Sequence, residues 1–124
     1  MSRTRTGIGV VALLMAIGTA PGRAGDMLSM RVTPVVAYAP AALEVQAVVA
    51  ADAENRALEI EVESADYYRS SAIELDGAHA PRVSVFEFRE VPPGTYRVLA
   101  RLHGSTGDRA TAVRAVKVVP APGR

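Results

Sequence analysis

Three glutamates at alternate positions, Glu59, Glu61 and Glu63, form the densest group able to do acid–base chemistry in this sequence. Glycoside hydrolysis needs two carboxylates in a pocket that raises one pKa and leaves the other ionised. Alternate glutamates on an exposed strand have no such pocket. The two histidines, His79 and His103, lie far apart, each beside a turn signal, whereas a metal centre needs three or four convergent ligands. Met27 and Met30 carry thioether sulfur of the kind that suits Cu(I), but Met30 shares parity with Leu28 and Val32, so core packing accounts for it. Serine chemistry lacks its Gly-x-Ser-x-Gly elbow, and no glycine loop of the phosphate-cradling kind is present. These residues predict no catalytic set, no metal centre and no cofactor.

The cluster with the most to offer is Tyr67-Tyr68-Arg69. Adjacent residues of a strand point to opposite faces, so one tyrosine is expected in the core and the other on the surface. Tyrosine and arginine are enriched where proteins bind partners. Tyr67, Tyr68 and Arg69 are therefore the candidate partner-binding residues, with the Gly104–Asp108 loop as a second place to look. The bland alternative is an edge strand whose tyrosine covers apolar surface.

The elements that must position these residues come from a chain of 124 residues, enough for one domain. A hydrophobic fraction of 49% beside 22% charged residues argues against disorder. A net charge of +1 lacks the basic surplus of a dedicated nucleic-acid binder. With no cysteine, disulfides, thiolate metal sites, cysteine nucleophiles and a lipid-modified N-terminal cysteine are all excluded.

Arg3 and Arg5 precede an uncharged apolar run from Gly7 to Ala20, followed by Pro21-Gly22-Arg23-Ala24. Positive start, short apolar run and small residues are the layout of a secretory signal peptide, and the run is shorter than the ~20 residues of a membrane-spanning helix. Residues 1–24 are expected to be a signal peptide cut after Ala24. An uncleaved N-terminal anchor is the alternative. Cleavage would leave 11 basic residues against 13 acidic, a net charge of −2. The protein is thus expected to be exported, periplasmic or extracellular, with no membrane span once cleaved.

From residue 25 to 119 the pattern is one of short strands. In Leu58-Glu59-Ile60-Glu61-Val62-Glu63, apolar and acidic residues alternate, placing Leu58, Ile60 and Val62 inward. Leu43, Val45, Ala47 and Val49 alternate likewise, with Asp52–Arg56 as the polar turn between the two strands. Leu28–Val36 reads as a first strand interrupted by Pro34 and so placed at an edge. Tyr67–Leu75 is a weaker strand with Ile73 and Leu75 on one face, ended by the Asp76-Gly77 turn signal. Arg82–Arg89 puts Phe86 and Phe88 together, and the prolines of Val91-Pro92-Pro93-Gly94 break the chain. Thr95–His103 has Tyr96, Val98, Ala100 and Leu102 on one side, and Arg109–Val119 returns from the loop. Residues 120–124 are expected to be a flexible tail. About seven short strands at regular spacing predict an all-β antiparallel sandwich.

Phe86-Glu87-Phe88-Arg89-Glu90-Val91-Pro92-Pro93-Gly94-Thr95-Tyr96-Arg97-Val98 is the most specific string. It resembles the end of bacterial Ig-like modules, among them fibronectin type III-like, PKD-like and carboxypeptidase-regulatory-like domains. The resemblance implies that Tyr96 opens the penultimate strand as a structural tyrosine corner, its hydroxyl reaching back to upstream backbone. It also implies that the Leu58–Val62 strand pairs with the Tyr96–Leu102 strand, so that Glu59, Glu61 and Glu63 face Arg97 and Arg101 as a self-neutralising row. Some periplasmic copper carriers share this size and fold, but their mature chains begin with histidine, whereas Gly25-Asp26 stands here.

The expectation is an exported, non-catalytic binding or accessory module of Ig-like fold, with a protein or glycan partner. The alternatives are a structural or assembly component that pairs through an edge strand, and a periplasmic metal carrier using Met27, Met30 and a histidine.

Overall fold

A computed structural model describes residues 26–123. The signal peptide expected over residues 1–24 lies outside the described residues. The elements run β1 (Leu28–Thr33), β2 (Val36–Tyr38), β3 (Ala41–Val49), β4 (Asn55–Ser64), β5 (Tyr67–Glu74), a short 3-10 turn (Gly77–His79), β6 (Val83–Val91), β7 (Gly94–Gly104) and β8 (Gly107–Val119). They form two sheets, one of three strands in the order β1-β3-β6 and one of five in the order β2-β8-β7-β4-β5. The molecule is an all-β sandwich, predominantly antiparallel.

Period-two patterning explains which side of each strand is buried. β1 and β3 alternate between buried positions and positions open to solvent, Gln46 only partly so, and Leu43, Val45 and Ala47 are fully buried. Leu58, Ile60 and Val62 of β4 meet Val98, Ala100 and Leu102 of β7 in register, all inward. Phe86 and Phe88 close the core from the opposing sheet.

Four expectations need correction. Among the described residues there are eight strands, because the segment expected as one strand over Leu28–Val36 divides at Pro34. Its first part pairs with β3 in the small sheet and its second with β8 in the large one. Proline ends the β1 ladder and lets the chain cross between layers; both pieces are edge strands. The sandwich is not wholly antiparallel, since β2 runs parallel to β8. Asp52–Arg56 is not all turn, because β4 already begins at Asn55.

Ile73 and Leu75 share the inward-facing side, as expected, but they are not equally covered. Leu75 is buried and Ile73 is 36% exposed. A five-stranded sheet is wider than the three-stranded sheet packed on it, so its outer strands overhang. β5 is such a strand and is exposed along nearly its whole length.

The strand expected to end at Arg89 runs on to Val91 through a bulge. Leu43 pairs with Phe88 but Ala41 with Val91, and Glu90 at the irregularity has φ 58°. The extra residue reverses the parity. Val91 turns inward and is fully buried, while Glu90 is exposed.

Candidate functional site

Among the described residues, β5 is the outermost strand of the large sheet, held on one side only by β4. Leu75 N–H donates to the Arg56 carbonyl at 2.8 Å, which fixes the direction of every amide in the strand. Tyr67, Arg69, Ser71 and Ile73 share its parity and use their main-chain groups on β4. The main-chain N–H and C=O groups of Tyr68, Ser70, Ala72 and Glu74 therefore point to the open edge. The β4–β5 register is unbroken from Ala57–Glu74 to Ser64–Tyr67.

Of the candidate residues, Tyr67 points inward. Its ring meets Tyr96 edge to face, with centroids 5.4 Å apart and planes at 88°. Arg69 lies on the same side as Tyr67. Its Nη1 donates to the Tyr67 hydroxyl at 3.1 Å and to the Arg89 carbonyl at 2.9 Å, and its guanidinium carbon sits 6.0 Å from the Phe88 ring centroid. Arg69 thus bridges the two sheets across their open side. Tyr68 points the other way, 57% exposed, opposite Glu63 of β4. One strand therefore presents an exposed phenol, a row of main-chain groups facing away from β4 and an anchored guanidinium.

Tyr96 is 2% exposed, and its hydroxyl donates to the Pro92 carbonyl at 2.6 Å, four residues upstream. Burial holds this phenol above the ordinary tyrosine value, and the neighbouring Ser64 hydroxyl opposes part of that effect. The contact pins the turn after β6 beneath the core and gives Tyr67 its packing partner.

The outer face of β4 and β7 carries the charged row. Arg97 pairs with Glu63 at 3.2 Å; Arg101 reaches Glu61 at 3.0 Å and Glu59 at 3.5 Å. Glu61 holds the Arg101 guanidinium above its ordinary value. His103 lies between Glu59, 3.2 Å from Nε2, and Asp108, 2.7 Å from Nδ1. The acids on its two ring nitrogens thus sit on different sides of it. Met30 is buried and Met27 packs against the core. His79 lies in the 3-10 turn, lining a cleft of about 300 Å³ with Arg56 and Leu75. Among the described residues, no three side chains of His, Cys, Asp or Glu converge so that they could hold a metal ion.

The Gly104–Asp108 segment is narrower than a five-residue loop, since β7 extends to Gly104 and β8 starts at Gly107. Behind it stands a group that the sequence pattern did not disclose. Asn55 is 1% exposed; its Nδ2 donates to the Ala50 carbonyl at 3.0 Å and its Oδ1 accepts from Arg109 at 2.7 Å. Arg109 also donates to Asp52 at 3.2 Å, and Ser105 hydrogen-bonds Glu54. The Glu54 N–H and then Arg109 hold the Asp52 carboxyl below its usual range. This network fastens two loops together. The signal for Asn55 was faint: a polar residue at the inward end of a strand.

No protein family and no curated protein matches the sequence. Solved structures do match in fold. Superoxide reductase (neelaredoxin) from Ignicoccus hospitalis superposes with a TM-score of 0.61 at 13% identity, over 74% of this chain and 80% of its own. The sulfur carrier protein SoxY from Chlorobium limicola f thiosulfatophilum superposes with a TM-score of 0.56 at 18% identity, over 86% of this chain and 96% of its own. At these identities the likeness is one of fold.

Proposed function

We propose that this chain is an exported, non-catalytic binding module of Ig-like fold, whose docking element is the β5 edge carrying Tyr67, Tyr68 and Arg69. The observation that carries the reading is the unbroken row of outward main-chain groups at Tyr68, Ser70, Ala72 and Glu74. Strand addition uses such a row for affinity and the alternate side chains for selectivity. Tyr68 supplies the exposed anchor, while Tyr67 and Arg69 hold the strand against the core from behind. A protein partner fits this edge better than a glycan, because it can complete the ladder.

Comparison with the other edges favours β5. β2 has three residues, β1 stops at Pro34, and β6 is bent by its bulge at Glu90 and carries Glu87 and Arg89. Short strands, proline, bulges and charges are the devices that blunt an edge against pairing. The fold shared with superoxide reductase and SoxY does not bring their chemistry with it; in particular, this sequence has no thiol on which sulfur could be carried.

Affinity capture from the native envelope fraction tests the reading, with the wild-type chain and the Tyr68→Ala and Ala72→Pro variants as baits. Proline at position 72 removes an open-edge donor and leaves the β4 ladder alone. A partner held by the wild type and lost from both variants is expected. Retention of every captured protein by both variants would exclude β5 as the docking element.

A further inference from the structure

The open edge of β5 is complementary to itself, and from this we infer that its occupant is a second copy of the chain, bound antiparallel about a two-fold axis through Ser71. The inference rests on the reading of β5 as the docking edge and names the partner there.

The register follows from two constraints. Hydrogen-bonded pairs across an antiparallel interface must join residues whose main-chain groups both face it, here Tyr68, Ser70, Ala72 and Glu74. A two-fold axis must also pair each residue with its image. Setting Tyr68 against the partner's Glu74 and Ser70 against the partner's Ala72 satisfies both. It is the alignment in which all four residues of the open row find partners within the strand. A slip by two in either direction pushes Tyr68 or Glu74 past the strand ends.

The side chains agree with the alignment. Tyr68, Ser70, Ala72 and Glu74 lie on the same outer face as Glu59, Glu61 and Glu63. In the dimer the Tyr68 phenol stands across from the partner's Glu74 carboxylate, a neutral donor opposite an anionic acceptor. On the inner face Ile73, 36% exposed in the monomer, lies across from the stem of the partner's Arg69. Two overhanging edges thus become the middle of one continuous sheet, and the exposed isoleucine gains a neighbour.

Ser71 lies on the axis as a non-hydrogen-bonded pair, where facing Cα atoms approach to about 4.5 Å. That separation lies within the range a disulfide spans. Because the natural sequence has no cysteine, Ser71→Cys would be the sole thiol of the chain.

Sedimentation of the protein recovered from expression of the full chain is expected to show a monomer–dimer equilibrium across the micromolar range. The Ala72→Pro variant should remain monomeric with an unchanged circular-dichroism spectrum. Under mild oxidation, Ser71→Cys should cross-link at least about tenfold faster than Ser70→Cys or Ala72→Cys. This arm needs no disruptive substitution, so it decides the matter even if the proline variant fails to fold. A monomer at every concentration, or cross-linking without preference for position 71, would overturn the dimer. In that event a heterologous partner that is captured by the wild type and lost from the edge variants would leave the docking reading intact. Retention of all partners would remove both.

Discussion

Arg109 donates to Asn55 Oδ1 at 2.7 Å, tying the start of β8 to the first residue of β4. Asn55 is buried and also donates to the Ala50 carbonyl. Asn55→Ala would leave a partly buried carbonyl and part of a guanidinium without partners, at a cost of about 1–3 kcal/mol. Urea unfolding should show a lower midpoint with an unchanged slope. Arg109→Met should lose less, and the two substitutions should be non-additive in a double-mutant cycle.

Gly104 tests the same network by shape. A Cβ at this position would stand 2.6 Å from Arg109 Cδ, 2.8 Å from its Cγ and 3.0 Å from the Glu54 carbonyl oxygen. Gly104→Ala should push the arginine off Asn55. Its loss of stability is expected to approach that of Arg109→Met and to shrink when both changes are combined. Full additivity in thermal unfolding would show that the arginine had not moved.

The parts of this fold that were legible in the sequence are those set by neighbours two residues apart. Leu58, Ile60 and Val62, and Tyr96, Val98, Ala100 and Leu102, alternate so regularly that their inward faces follow from the pleat. The charged row, with Arg97 and Arg101 opposite Glu63 and Glu59, followed once the strand order was assumed. Ile73 stands on the expected face, but its exposure depends on the width of the opposing sheet, which no local pattern encodes. Val91 sits inward because Glu90 takes up a left-handed conformation, and glutamate gives no hint of one. Of the candidate docking residues, period two correctly set Tyr67 and Tyr68 on opposite faces. It was silent on Arg69 reaching the Arg89 carbonyl, twenty residues away.

Asp52 gives the network a pH dependence. Its carboxyl is held below the ordinary value of 3.8 by the Glu54 N–H first and Arg109 second. A depressed carboxyl contributes stability that is complete above its unfolded value and is lost as pH falls through the folded one. Asp52→Asn should therefore be less stable than the wild type at neutral pH. Their urea midpoints should converge as pH drops below 3.8. A constant gap as the acid is titrated would show that the charge of Asp52 is not what fastens the loop.

Tyr96 should produce the opposite signature in alkali. Removing its hydroxyl strands the Pro92 carbonyl, so Tyr96→Phe should cost about 1 kcal/mol near neutral pH. Burial raises the phenol above its ordinary 10.0, so the folded state favours the neutral form. That contribution is present below 10.0 and is lost as pH rises through the folded value. The wild type should therefore lose its advantage over Tyr96→Phe in strongly alkaline solution, as read from denaturant midpoints. Tyr67 keeps its edge-to-face packing in both proteins, so the difference isolates the hydroxyl.

Glu90 and Gly107 both have positive φ, but only one of them is glycine. At φ 58° glutamate occupies the left-handed region, where a side chain costs roughly 1–2 kcal/mol. Glu90→Gly relieves that strain and gives back part of the gain as greater freedom of the unfolded chain. The net expectation is a stabilisation of about 0.5–1 kcal/mol, seen as a higher melting temperature with Val91 still buried. Gly107 has φ 137°, and a Cβ added there would meet nothing within 4 Å. Alanine at this position should still lose stability, despite the open space around it. The two substitutions together separate backbone conformation from crowding. A destabilised Glu90→Gly would mean that the glutamate side chain, exposed as it is, holds the bulge that turns Val91 into the core.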